Sequence, residues 1–162
     1  MKQKAHGFTI VELLIVIVVV AILASITIVA YNGVQKRAYV SALQSDFSNA
    51  AKKAELYKAT SSGGGYPTGL AQINDASVTL SKSAYNAVVW CYKGWPTATE
   101  WGLVADGKDG KSYYITSMTK LFTEFTANEV QGNSGGVTCP AVDAGLTGWT
   151  WLLQTPGGAW QI

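Results

Sequence analysis

The stretch HGFTIVELLIVIVVVAILASITIV, residues 6 to 29, decides how this chain is read. It is apolar almost throughout, yet a carboxylate, Glu12, stands near its start. From Leu13 to Gln35 no residue is charged. At roughly 1.5 Å per residue such a run makes a helix of about 35 Å, enough to cross a bilayer core of about 30 Å. Ile and Val crowd it, and both are mediocre helix formers in water. In lipid, however, a spanning segment must satisfy its own backbone, so a helix is predicted. Lys2 and Lys4 precede the run and Lys36 and Arg37 follow it, so flanking charge leaves the orientation open.

Three readings of the run compete. A secretory signal peptide has an apolar core of about 7–15 residues followed by a small-x-small cleavage site. This run is longer, and Ile22 and Ile28 occupy the places where a small residue would have to precede Ala24 and Ala30. A plain membrane anchor explains the length but not Glu12, because a lone acid at the centre of a membrane helix costs roughly 2.5–3.5 kcal/mol. The third reading explains both. If the chain is cut between Gly7 and Phe8, a basic, polar leader of residues 1–7 is removed and the apolar segment is kept. Phe8 then carries a positively charged amine at neutral pH. Glu12 lies one helical turn in, where the helix dipole already favours a carboxylate. When many such helices pack together, that carboxylate can pair with the amine of a neighbouring copy and set the register.

The run Gly7-Phe8-Thr9-Ile10-Val11-Glu12-Leu13-Leu14, leading into an apolar helix, resembles the N-terminus of type IV pilins and type II pseudopilins. The resemblance covers residues 1 to about 37. It implies cleavage after Gly7 by a prepilin peptidase and N-methylation of Phe8. It further implies a bilayer reservoir, an inner-membrane assembly platform, and a helical homo-oligomeric filament with the apolar helices at its core. One departure stands out. Many major pilins carry a helix-bending proline in the second half of the apolar run, and Phe8 to Tyr31 has none. Gly33 is the nearest weak point.

Beyond the run, Val40, Leu43, Phe47, Ala50, Ala54 and Tyr57 recur at alternating steps of three and four, one stripe of an amphipathic helix. Ser41, Gln44, Asp46, Ser48, Lys52, Lys53 and Glu55 fall mostly off it. Ser61-Ser62-Gly63-Gly64-Gly65-Tyr66-Pro67 ends the helix. A mixed loop with a short helical turn near Gly69 to Asn74 follows. Strands are predicted at 87–92, 101–105, 112–116 and 149–153, the middle two joined by the turn Asp106-Gly107-Lys108-Asp109-Gly110-Lys111. The expected fold class is α+β, in the pilin manner: a long helix, apolar in its first half and amphipathic in its second, on an antiparallel sheet of three or four strands. The expected divisions are a leader 1–7, a membrane or filament-core helix 8–35, an amphipathic half 36–60, and a β-rich head 61–162.

Two cysteines occur, Cys91 and Cys139. In an exported chain they read as one disulfide closing the loop 91–139 and tying the sheet to a Gly-rich tail. Otherwise they are two reduced core cysteines. They fit no zinc spacing, and the one histidine, His6, lies in the leader, so neither a zinc set nor a histidine-based catalytic triad can be assembled in the mature chain. Asp106 and Asp109 suit a plain turn better than a calcium loop, and no cofactor is expected. Of six tryptophans, Trp90, Trp101, Trp149 and Trp151 read as core, and Trp95 and Trp160 as the more exposed pair. A net charge of +2 favours no polyanion. Lys108, Lys111 and Lys120 read as a solvated face, so contact with DNA or a host surface is unsupported.

The chain therefore reads as a structural subunit and not an enzyme. It is held in the membrane by a single pass before assembly, and in an extracellular pilus serving adhesion, twitching or DNA uptake, or a periplasmic pseudopilus, afterwards. A secretion-system pseudopilin and a membrane-anchored binding domain that never polymerises remain the alternatives. The long C-terminal region rich in Thr and Gly fits the pilus better.

Overall fold

The computed structural model describes residues 8–125, 130, 135–153 and 161–162. Helix α1 runs from Ile10 to Thr60 without interruption. It is followed by helix α2 (Leu70–Asp75), a 3-10 turn at Lys82–Ala84, strands β1 (Tyr85–Lys93), β2 (Glu100–Gly107), β3 (Ser112–Thr116) and β4 (Thr123–Phe125), helix α3 (Gly135–Val142) and strand β5 (Gly148–Leu153). The chain divides into two units, Met1–Lys36 and Arg37–Ile162.

In the first unit, every described residue is exposed. The helix is apolar all round, with no polar face to turn to water, and it is the one described helix long and apolar enough to cross a membrane. Its Ser25 and Thr27 hydroxyls are satisfied on its own backbone: Ser25 donates to the Ile22 carbonyl at 2.7 Å and Thr27 to that of Ala24 at 2.9 Å. Gly33 does not interrupt it. Helical bonds on both sides carry the chain through, and a Cβ there would meet nothing within 4 Å.

In the second unit, the remainder of α1 lies on an antiparallel sheet of order β4-β3-β2-β1-β5. The fold is α+β, as expected. Leu43, Phe47, Ala50 and Ala54 are buried at the spacing the sequence predicts, against Tyr85, Val88 and Trp90 of β1, Trp101, Leu103 and Ala105 of β2, and Tyr113 and Ile115 of β3. Trp90 and Trp101 stack with ring centres 5.0 Å apart, and Phe47 and Phe122 meet nearly perpendicular with ring centres 5.3 Å apart. The other face of the sheet is also covered. Ala87, Val89, Cys91 and Val104 pack with Cys139 and Leu146. Both faces of β1 are therefore buried, which is why it reads as a continuous β-rich run and not an alternating one.

Four sequence expectations need correction. The sheet has five strands, because β4 adds a three-residue edge on β3 too short to carry an alternating pattern. Cys139 does not begin a tail but sits in α3, a helix containing Pro140 and starting on two glycines. Its intrinsic propensity is poor, and tertiary packing with the disulfide holds it. Asp46 is not on the solvent side: it is 8% exposed, one helical turn from Leu43 and Ala50 on the buried face. Trp149 is 41% exposed, because β5 forms an edge of the sheet and is only partly covered.

Candidate functional site

The first turn of α1 is built by four residues, Thr9-Ile10-Val11-Glu12. Ile10 opens the helix, so Thr9 is its N-cap. Thr9 donates from its backbone N–H and from its hydroxyl to the same oxygen of Glu12, Oε2, at 2.8 Å each. In return the Glu12 N–H donates to Thr9 Oγ1 at 3.3 Å. This reciprocal pair is a capping box, and it satisfies two amides that a helix start leaves without partners. Glu12 Oε1 makes no hydrogen bond among the described residues. Phe8, just ahead of the cap, is 86% exposed.

The geometry gives Glu12 a definite capacity. One oxygen closes its own helix, and the other has no hydrogen-bond partner among the described residues. Thr9 was not singled out from the sequence as part of this arrangement. The signal was present, since Thr-x-x-Glu directly before an apolar run is a helix-start signature. Phe8 and Glu12 are described. Gly7, the leader and the proposed cut lie outside the described residues, as does Trp160.

Cys91 and Cys139 are joined: the S–S distance is 2.00 Å and the Cα atoms are 5.6 Å apart. The bond ties the C-terminal part of β1 to α3 and is fully buried. The remaining candidates are occupied locally. Ser112 Oγ donates to Asp106 in a short contact, and Tyr113 Oη donates to Asp109 at 2.6 Å. Among the described residues no group of three or more His, Cys, Asp or Glu side chains converges on a point. Lys111 pairs with Glu124 at 2.8 Å and Lys120 with Glu55 at 3.0 Å. Each partner raises the pKa of its lysine. Two of the three lysines considered for phosphate contact are thus matched by carboxylates. Trp95 is 75% exposed, as expected.

Residues 2–28 match the family model of the prokaryotic N-terminal methylation motif. No curated protein and no solved structure matches the chain. The motif is the N-terminal signal of type IV pilins and pseudopilins. Together with the apolar helix it supports anchoring in a membrane.

Proposed function

We propose that the protein is the subunit of a type IV pilus-like filament, with a structural and not a catalytic role. The observation that carries this reading is the methylation motif over 2–28 running directly into a helix whose first half is apolar on every side.

The chain enters the membrane with its leader on the cytoplasmic side. A prepilin peptidase cuts between Gly7 and Phe8, and Phe8 is N-methylated. At an inner-membrane platform the Phe8 amine is drawn to Glu12 of a subunit already in the filament. Glu12 Oε1 is open to receive it while Oε2 stays with Thr9. Moving a helix from lipid to a helix bundle gains little from hydrophobicity, because lipid tails are as apolar as the neighbouring helices. Packing and the ion pair therefore choose the register, and a Glu12 left unpaired in that core is penalised. The heads coat the filament on its outside.

Mass spectrometry of the mature chain tests the processing: a chain beginning at N-methylated Phe8 is expected, and one retaining Met1 overturns the reading. Glu12→Ala is expected to leave membrane insertion intact and to abolish filaments in electron micrographs of sheared surface material. A non-polymerising anchor would be indifferent to that substitution.

A further inference from the structure

The head carries a polar cleft beside the C-terminal end of α1. The chain leaving α1 is drawn against the turn between β1 and β2, where the Tyr66 N–H donates to the Ala98 carbonyl at 3.0 Å. The approach is close at Gly65, where a Cβ would lie 2.6 Å from Thr97 Cγ2 and 3.1 Å from the Ala98 carbonyl oxygen. The space beside this junction is about 220 Å³, lined by Tyr57, Ser62, Tyr66, Gln72, Pro96 and Thr97 among others. Drug-sized ligands fill roughly 300–1,000 Å³, so this cleft suits a single six-membered ring.

Its chemistry narrows the ligand. No charged side chain lines it. The charges nearby are already engaged: Glu55 accepts from Tyr66 Oη at 3.1 Å and pairs with Lys120, and Lys58 Nζ stands 4.4 Å over the Tyr66 ring. An anionic ligand would find no free cation in the lining. Gln72 is held by its oxygen, which accepts from Thr68 N–H at 2.6 Å and from Thr68 Oγ1 at 2.9 Å. Its amide NH₂ is left without an acceptor among the described residues. The hydroxyls of Tyr57, Ser62 and Thr97 likewise make no hydrogen bond among them. A held amide donor and neutral hydroxyls beside the Tyr57 ring complement a molecule that carries hydroxyls around its rim and C–H groups on its faces.

We propose that this cleft binds a neutral pyranose ring, free or at the end of a glycan. The Gln72 amide and the Tyr57 and Thr97 hydroxyls bond its hydroxyl groups, and its C–H face lies on aromatic surface. The site belongs to the head and is independent of the filament reading. It is therefore measured on the full chain, unassembled, in a zwitterionic detergent free of sugar. Methyl glucoside, galactoside, mannoside and N-acetylglucosaminide are titrated while tryptophan fluorescence and ligand-observed NMR are followed, with glucuronate and glucose 6-phosphate as charged controls. At least one neutral glycoside is expected to saturate in the millimolar range, and neither control is. Tyr57→Phe and Thr97→Val each remove a hydroxyl and keep the shape of the side chain, and each is expected to weaken binding about tenfold. Lactoside affinity equal to that of methyl galactoside assigns the site to one ring, and tighter binding assigns it to a glycan end. The proposal is overturned if no neutral glycoside saturates, if the charged sugars bind as well, or if both variants bind as the natural chain does.

Discussion

Two carboxylates in α1, Glu12 and Asp46, show how a single acid is made tolerable in two different settings. Glu12 shares one oxygen with the cap of its own helix, and its other oxygen has no hydrogen-bond partner among the described residues. Asp46 is buried and fully engaged: it accepts from the Ser81 N–H at 2.6 Å, from Ser81 Oγ at 3.1 Å and from Tyr85 Oη at 2.9 Å. Three donors from the segment entering β1 thus fasten α1 to the sheet at one point, and a buried acid lacking them would be strongly unfavourable. Burial, and then the negative charge of Asp46, push the Tyr85 hydroxyl far above the ordinary tyrosine range. An unfolded tyrosine ionises near about pH 10, whereas Tyr85 in the fold keeps its proton well beyond that. The contribution is therefore complete below about pH 10 and is lost as pH rises past it, because only the unfolded chain releases the proton. Denaturant midpoints measured from pH 7 to 11 are expected to fall on the alkaline side. Tyr85→Phe is expected to make that fall shallower while costing about 1–3 kcal/mol at pH 7, through the donor Asp46 loses. An alkaline limb as steep in Tyr85→Phe as in the natural chain would remove this account.

At the scale of the element, α1 is continuous for two different reasons along its length. The apolar half is a helix because no other conformation satisfies its backbone in lipid. The amphipathic half is a helix because its stripe is covered by β1, β2 and β3. Strand β5 depends on a close approach instead. It pairs with β1 through Tyr92↔Gly148, and a Cβ at 148 would enter the Tyr92 ring. Gly148→Ala is expected to push β5 off the upper end of β1 and to cost about 1–3 kcal/mol. Faster amide exchange in β5 than in β3 would show the damage, and unchanged exchange would refute it. Helix α3 is the weakest element by propensity and survives by attachment, through Cys139 and through Leu146 just after it, which lies close over Gly102.

At the scale of the molecule, the head is a sheet covered on both faces, by α1 on one and by α3 with its following loop on the other. The Cys91–Cys139 bond joins the sheet to the α3 layer across 48 positions of sequence. In the chain-entropy model a loop of that size constrains the unfolded state by about 4 kcal/mol. Removing it as Cys91→Ser with Cys139→Ser is expected to lower stability by roughly that amount. The loss should appear as a drop in thermal midpoint and in protection of α3 before β2 and β3. A double variant as stable as the natural chain would place the second core beyond the bond's influence.

Much of this protein is legible without coordinates, and the parts that are share a cause. The apolar run, the stripe from Leu43 to Ala54 and the Asp-Gly turn between β2 and β3 are local patterns, repeated or bounded within a few residues. Periodicity and turn chemistry report them directly. Thr9 was equally local and was readable as the partner of Glu12. What tertiary structure alone decided is long-range: α3 as a helix despite Pro140, β4 as a three-residue edge, Asp46 turned inward to meet Ser81 and Tyr85, and a cleft made where Gly65 meets Thr97. Each depends on partners outside its own segment or on close packing between segments. Their free energy lies in those contacts and not in the preferences of the residues themselves.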